Sequence, residues 1–357
     1  MREVLKERII ALCSEMSVSG FEGRASDFLK KTVGADFDEY CTDGVGNHIF
    51  LKRSGKAGAP LALIDAHFDE IGMMVSGICE GGFLRVASVG GLSPSVLQAA
   101  DVLIYGSQTL RGVIISTPPH LRTGDEEKLP DVNELLVDTG YSMDELEKIT
   151  PVGTPVGFAP VYSKLLNGCL AGKSFDNKAC GAIAAYAIAS LPREELTADV
   201  ALLFSSFEET SRVGGAGPAA FGLAPDYAMV IDVNLATVPD VPKYETVPLG
   251  KGISLSVSAA TDRALTTMTQ MLCKDCGLAH CMIAAPSTTG TNAPTINLAG
   301  SGIPVVDVGL PLRSMHTYNE VISLTDAETL FDLIQAWLKS RAIADRFART
   351  GKEALPL

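Results

Sequence analysis

The sequence lacks an excess of basic residues. Its 357 residues include 29 Lys and Arg against 42 Asp and Glu, which gives a formal net charge of −13. Contacts to nucleic-acid phosphates require a basic surface, so this balance argues against a nucleic-acid-binding protein. Docking on anionic lipid has the same requirement. We therefore expect neither nucleic acid nor membrane among the partners of this chain.

Long apolar runs are also missing. The best candidate, residues 182–191, is about half of the ~18 residues that a membrane span needs. The first twelve residues interleave charged and apolar side chains at helical spacing, unlike the apolar core of a secretory signal. The eight cysteines are scattered along the chain, a pattern typical of buried thiols in a reducing compartment. These features predict a cytoplasmic protein.

The hydropathy pattern divides the chain into two kinds of structure. Residues 73–163 contain short strand-like runs separated by Gly-rich turns, which predicts a small β-rich module. Residues 1–72 and 164–357 carry continuous apolar strands between helices, which indicates a mixed, largely parallel sheet sandwiched by helices. We therefore expect an α/β domain formed by residues 1–72 and 164–357, with the β-rich module inserted into it.

Polar side chains capable of metal binding or acid–base chemistry lie at the ends of the predicted apolar segments. These residues are His67, Asp69, Asp176, Glu208, Glu209, Asp232 and His316. In open α/β sheets, ligands bind outside the carboxyl ends of the strands. The sequence therefore predicts one site in which these side chains meet.

The residue types indicate a site for two divalent metal ions. Imidazole and carboxylate suit zinc, cobalt or manganese, and a carboxylate can bridge two ions. Single members have ordinary explanations: Asp176 can cap the following helix, and the pair Glu208–Glu209 can be a solvated turn. Asp232 is more informative, because a carboxylate inside an apolar run is costly unless it is paired or metal-bound. The combination of residues carries the prediction.

Five short motifs in order give the chain a family resemblance. They are His67-Phe-Asp-Glu-Ile-Gly, Phe175-Asp-Asn-Lys, Phe207-Glu-Glu, Val230-Ile-Asp-Val and Met315-His. This order resembles the TET-like metallo-aminopeptidases, which include glutamyl, leucyl and lysyl aminopeptidases and relatives labelled endoglucanases. The resemblance covers nearly the whole chain. It implies a zinc-aminopeptidase-like α/β fold with an inserted small β-barrel or PDZ-like domain.

The resemblance also implies a role for each site residue. One metal would be bound by His67 and Asp232, and the other by Glu209 and His316. Asp176 would bridge the two ions. Glu208 would act as the general base, and Asp69 would fix the orientation of His67, as metal-bound histidines usually require. Two divalent ions per subunit are implied, with zinc expected and cobalt or manganese as alternatives.

The implied activity is removal of N-terminal residues from short peptides. Two metals would lower the pKa of a shared water, and Glu208 would take its proton and deliver it to the leaving amine. One metal would also hold the free α-amine of the substrate, which makes the enzyme an exopeptidase. The family's β module serves as a lid and assembly domain. A homo-oligomer is therefore expected, either a dimer or a hollow tetrahedral dodecamer built from dimers.

Three further segments bear on the comparison with this family. The segments Val18-Ser-Gly-Phe-Glu and Phe83-Leu-Arg-Val-Ala-Ser-Val-Gly-Gly also look like landmarks of the family. In contrast, Gly290-Thr-Asn-Ala departs from it, because the family often has Asp where this chain has Asn292. The missing carboxylate bears on how the substrate amine is recognised, and so on residue preference.

Three alternative functions would also place these residues in one site. A binuclear amidohydrolase or deacylase of N-acyl amino acids would use the same metal set without requiring a free α-amine. A glycosidase needs two carboxyls about 5–9.5 Å apart, whereas Glu208 and Glu209 are adjacent and neighbours on a strand point to opposite faces. A non-catalytic relative is disfavoured, because every ligand position and the base position are filled.

Overall fold

A computed structural model describes residues 1–115, 131–210, 214–239, 241–242, 244 and 246–348. Within these residues the chain forms a large mixed sheet and a closed β-barrel. The helices are α1 Arg2–Ser14, α2 Ser26–Thr32, α3 Met143–Ile149, α4 Phe175–Ser190, α5 Ala216–Leu223, α6 Arg263–Asp275, α7 Ala293–Asn297, α8 Leu324–Lys339 and α9 Arg341–Phe347. None of them is long and apolar enough to cross a membrane.

The large sheet contains eleven strands in the described residues. They are β1 Glu39–Thr42, β2 His48–Lys52, β3 Leu61–His67, β10 Ser163–Lys164, β11 Cys169–Gly172, β12 Asp199–Ser205, β13 Tyr227–Leu235, β14 Ile253–Ser258, β15 His280–Ala285, β16 Val305–Arg313 and β17 Glu320–Ser323. Strands β12, β3, β13 and β16 lie side by side and run parallel. Antiparallel pairs flank this parallel centre on both sides.

Both faces of the parallel centre are buried, which explains its continuous apolar sequences. On β3, Ala62 and Ile64 pack in one core cluster with residues of α1, α4 and α8. The intervening Leu63 packs in a second cluster with residues of α5 and α7 on the opposite face. Because side chains alternate along a strand, one apolar run supplies two cores.

The barrel lies between β3 and β10 in the sequence and closes in the order β4-β5-β8-β7-β6-β9. Its strands are β4 Gly72–Cys79, β5 Phe83–Val89, β6 Asp101–Tyr105, β7 Thr109–Ile115, β8 Leu136–Asp138 and β9 Pro155–Phe158. It has its own apolar core, which includes Val86, Ile104 and Val156. The predicted fold, a mixed α/β sheet covered by helices with an inserted small β-barrel, is confirmed. The domain limits at residues 72/73 and 163/164 stay a prediction.

The register of the parallel strands sets the position of the site. Because parallel strands share one carboxyl-end edge, the segments that follow β3, β12 and β13 emerge together. His67 pairs with Ser205, and Asp65 pairs with Val230, two residues before Asp232. His67, Asp232 and the residues that follow Ser205 therefore lie at the same level of the sheet.

Candidate metal centre

Three buried side chains form the first ligand group. The Nε2 atom of His67 lies 3.1 Å from Oδ1 of Asp176 and 3.7 Å from Oδ1 of Asp232. One ligand atom from each of these residues lies within 4.8 Å of the others, a spacing that fits a metal ion. His67 ends β3, Asp232 lies in β13 and Asp176 stands at the start of α4.

Asp176 also belongs to a second ligand group. The Nε2 atom of His316 lies 3.3 Å from Oε2 of Glu209 and 3.6 Å from Oδ2 of Asp176. One ligand atom from each of these three residues again lies within 4.8 Å of the others. Asp176 therefore presents Oδ1 to the first group and Oδ2 to the second. The structure brings together all five residues that the sequence proposed as ligands.

Glu208 lies beside the first ligand group but belongs to neither ligand group. Its Oε2 atom is 4.0 Å from Nε2 of His67, and its side chain is 20% exposed. The preceding residue, Phe207, has a φ of 61°. This left-handed turn redirects the chain before Glu208 and Glu209, whose carboxylates lie near His67 and His316 respectively.

Asp69 holds the turn that carries these two glutamates. Its Oδ1 atom accepts the N–H of Glu208 at 3.1 Å, and its Oδ2 atom accepts the N–H of Glu209 at 3.0 Å. The ring of His67 is oriented through Nδ1, which lies 3.0 Å from the carbonyl oxygen of Asp69 and 3.5 Å from its carboxylate. Asp69 thus contacts both the predicted base segment and the predicted ligand His67.

Two further buried carboxylates hold the ligand segments and were not identified from the sequence. Oε1 of Glu22 accepts the N–H of Phe207 at 3.2 Å, and burial raises the pKa of Glu22 to about 7. Oε2 of Glu320 accepts the N–H of Asp176 at 3.1 Å, and the nearby backbone N–H of His316 opposes the rise that burial causes in the pKa of Glu320. Glu22 lies in one of the family landmark segments, which is the only sequence signal for either residue.

A buried ion-pair cluster anchors the segments on the other side of the site. Oε2 of Glu70 lies 2.6 Å from Nζ of Lys173 and 3.1 Å from Nζ of Lys178. Burial alone would raise the pKa of Glu70, but these two ammonium groups lower it to about 2. The cluster joins the segment after β3 to the segment that leads into α4, and so fixes the relative positions of His67 and Asp176.

The electrostatics of the site fit a pair of cations. Burial raises the pKa values of Glu209 and Asp232 well above their ordinary range, and the charge of Asp176 raises both further. Among the described residues, Oε1 of Glu209 has no hydrogen-bond partner despite being buried. Burial opposes protonation of His67, yet the neighbouring Asp232 and Asp176 raise its pKa well above the ordinary value. Buried carboxylates without enough cationic partners are costly unless a cation binds them. Together with imidazole, they are the donor set that binds zinc, cobalt or manganese.

Asn292 lies below the site rather than among the ligands. It is buried, and its Nδ2 atom donates to Oδ2 of Asp65 at 3.0 Å and to Oγ of Ser205 at 2.9 Å. A carboxylate at this position would face that of Asp65 without an N–H to donate. In this chain, Asn292 therefore links α7 to the ends of β3 and β12.

Removing metal is expected to make stability fall as the pH rises. Glu209 and Asp232 have pKa values raised above their ordinary 4.5 and 3.8. Above those ordinary values the folded chain binds more protons than the unfolded chain, so the free energy of unfolding decreases with pH. The raised pKa of His67 acts in the same direction, whereas Glu70 loses its contribution only as the pH falls towards about 2.

The measurement is scanning calorimetry of chelator-treated protein at a series of pH values above the ordinary carboxyl pKa values of 4.5 and 3.8. The melting temperature should drop across this range, and restoring a divalent metal should flatten the profile. A metal-free melting temperature that rises with pH would contradict the charge assignment.

The chain was compared with known proteins. Residues 46–333 match the M42 glutamyl aminopeptidase family. The lysyl aminopeptidase of Pyrococcus furiosus is 30% identical over 331 residues, covering 90% of this chain and 93% of that protein. An aminopeptidase structure from the archaeon Desulfurococcus kamchatkensis superposes with a TM-score of 0.88 at 27% identity, covering 99% of both chains. The TET1 peptidase of Pyrococcus horikoshii superposes with a TM-score of 0.81 at 27% identity, covering 94% of this chain and 99% of that one.

The chain belongs to the M42 glutamyl aminopeptidase family, and the predicted family resemblance is confirmed. Membership supports an aminopeptidase, and so a peptide hydrolase, as the class of this protein. M42 peptidases are metal-dependent, and the two ligand groups are side chains that could bind metal.

Proposed function

We propose that this protein is a binuclear metallo-aminopeptidase that removes N-terminal residues from short peptides. The observation that carries the proposal is the position of Asp176, whose two carboxylate oxygens face two separate ligand groups. A single structural metal would need only one of these groups. Glu208, a carboxylate outside both groups but within 4.0 Å of His67, is then available for proton transfer.

Each ligand group would hold one divalent ion. His67, Asp232 and Asp176 would hold the first, and Glu209, His316 and Asp176 the second. Zinc suits this mixture of imidazole and carboxylate, as do cobalt and manganese. When bound, such ions lower the pKa of a coordinated water towards neutrality and polarise a carbonyl group.

Glu208 would act as the general base. Burial raises its pKa, and the neighbouring Asp176 raises it further, which brings its proton affinity closer to that needed near neutral pH. Its carboxylate takes the proton of the attacking water and then delivers it to the amine that leaves. Asp69 and Glu22 hold the backbone of this segment, so the base keeps its position during both transfers.

A free α-amine on the substrate would separate an aminopeptidase from a deacylase of N-acyl amino acids. A free α-amine has a lone pair that could bind one of the two metal ions, whereas an acylated nitrogen does not offer one. The test compares hydrolysis of an aminoacyl reporter with that of its N-acetylated form, using protein loaded with each of the three metals. Cleavage of the free-amine form alone is expected. Preference for the acetylated form would instead assign a deacylase.

We also propose a homo-oligomer, either a dimer or a dodecamer built from dimers, in the cytoplasm. The support is the TET1 peptidase of Pyrococcus horikoshii, which assembles into a tetrahedron or a large octahedral shell. The inserted module, residues 73–163, would serve as the lid and assembly domain. Sedimentation velocity of the purified chain measures the assembly directly, and a monomer at micromolar concentration would contradict this proposal.

A further inference from the structure

His316 is the least enclosed of the five proposed ligands. Its side chain is 40% exposed, whereas that of Asp176 is only 8% exposed. It lies in the loop between β16 and β17, where both Ser314 and His316 have left-handed φ angles, of 59° and 60°. Left-handed backbone is disfavoured for residues other than glycine, so it persists only where surrounding contacts hold it. The contacts that hold this loop therefore decide where His316 points.

The barrel provides contacts on one side of this loop. The Nδ1 atom of His316 lies 3.2 Å from the carbonyl oxygen of Gly91, which follows strand β5. The ring of Tyr318 packs against that of Phe158 in β9, with centroids 6.0 Å apart. Two separate elements of the barrel thus touch the loop, and one of them touches a proposed metal ligand directly.

Glu320 provides the contact on the opposite side. It begins β17, and its buried carboxylate accepts the backbone N–H of Asp176 at 3.1 Å. Burial raises the pKa of this carboxylate, and the nearby backbone N–H of His316 opposes that rise. This carboxylate fixes the backbone of the loop relative to the bridging residue. A backbone contact leaves the rotation of the imidazole ring undetermined. Nε2 of the ring faces Glu209 and Asp176, and the Gly91 carbonyl holds the opposite side of the ring at Nδ1.

The approach between Gly91 and His316 leaves no room for a side chain. A Cβ atom built on Gly91 would lie 2.8 Å from Nδ1 and 3.2 Å from Cε1 of His316. Gly91 does not have a left-handed φ, so its backbone conformation alone would tolerate alanine. Glycine is therefore required here by the closeness of the imidazole, which accounts for the second glycine of the Gly-Gly end of the landmark segment that begins at Phe83.

We propose that the Gly91 carbonyl is a positioning group for the second ligand group. This inference rests on the proposed function. Because Gly91 belongs to the barrel module, the barrel would then contribute to the metal centre in addition to serving as a lid. The Nδ1–H of His316 donates to the Gly91 carbonyl, which selects the tautomer whose free Nε2 faces Glu209 and Asp176. A metal-bound histidine ordinarily donates its other N–H to such an acceptor, and losing the acceptor typically weakens metal affinity about 10–100-fold.

The experiment compares Gly91→Ala with Gly77→Ala in the full-length protein. Gly77 lies in β4 of the same barrel, and a Cβ built on it meets nothing within 4 Å. Both variants and the parent are stripped of metal and titrated with Co²⁺, followed by calorimetry and by visible absorption. We expect two binding steps in the parent and in Gly77→Ala. In Gly91→Ala, one step should weaken about 10–100-fold while the other is unchanged, with an altered Co²⁺ spectrum for the weakened site only.

The outcomes separate this inference from the proposed function. Two steps of unchanged affinity in Gly91→Ala would overturn the inference and leave the function standing. A parent protein that binds fewer than two Co²⁺ ions would overturn the proposed function itself. If Gly91→Ala loses both steps or does not fold, the test is made on the parent protein instead. ¹⁵N-histidine NMR of the Zn²⁺-loaded parent shows which ring nitrogen of His316 carries the proton, and His316→Gln assigns the signal. A proton on Nδ1 of His316 is expected, and a proton on Nε2 would overturn the inference.

Discussion

Replacing Glu208 by glutamine is expected to lower kcat by about 10²–10⁴-fold, the range that general acid–base catalysis typically contributes. Glutamine keeps the shape of the side chain but cannot accept the proton of the attacking water. Metal binding should be retained, because Glu208 belongs to neither ligand group. The measurement pairs steady-state kinetics on an aminoacyl reporter with metal analysis of the purified variant.

Glu147→Gln serves as the matched control for this substitution. Glu147 is exposed on α3 in the barrel, so the same loss of a carboxylate should leave kcat unchanged. A lost general base typically lowers turnover by at least about 10²-fold. A Glu208→Gln variant that keeps more than about a tenth of the parent turnover would therefore show that Glu208 is not the general base.

Replacing Asp176 by asparagine is expected to weaken both metal-binding steps together. Its two oxygens face different ligand groups, and asparagine offers one acceptor oxygen and one NH₂ group in their place. Each step should weaken by at least about 100-fold, since even residues that only orient a ligand contribute 10–100-fold. Calorimetric titration with Co²⁺ measures both steps, and hydrolysis should be lost with them.

Single-group substitutions provide the comparison for Asp176. His316→Ala and Asp232→Asn each alter one ligand group, so each should weaken one step and spare the other. The metal-free Asp176→Asn protein should also melt higher than the metal-free parent, because one of several converging buried carboxylates becomes neutral. An Asp176→Asn protein that retains one step at parental affinity would show that Asp176 does not bridge.

The centre of the sheet could be predicted from sequence because both of its faces are buried. Such strands read as continuous apolar runs, as in residues 199–205 and 227–231, which lie in β12 and β13. Strand β15 carries no such signal. Its six residues alternate between half-buried and exposed, it pairs with β14 on one side only, and its sequence begins with His280 and Cys281. A short edge strand of this kind is defined by its partner rather than by its own pattern.

The five proposed ligands could be named from sequence because each lies at an end of an apolar segment or interrupts one, and because the family resemblance distinguishes ligands from the other candidates. Asp69 was identified as a supporting residue in the same way, but Glu22 and Glu320 could not be. Glu22 and Phe207 are 185 residues apart, and Glu320 and Asp176 are 144 apart. Each carboxylate acts by accepting backbone N–H groups, and any residue supplies such a group, so no side-chain pattern in the sequence records the contact.

The two adjacent glutamates show a third limit of the sequence. Side chains that follow each other on a regular strand point in opposite directions. Glu208 and Glu209 lie after the end of β12, where the left-handed φ of Phe207 redirects the chain. Both side chains lie in the same site, Glu208 near His67 and Glu209 near His316. Residue type and order predicted two carboxylates there, whereas their separation depends on the turn.

The most direct measurement is an anomalous difference map from crystals of the metal-free protein soaked in Co²⁺. Two peaks per subunit are expected, one contacted by His67 and Asp232 and the other by Glu209 and His316, with Asp176 touching both. A single peak, or two peaks that do not share Asp176, would contradict a binuclear centre bridged by this residue.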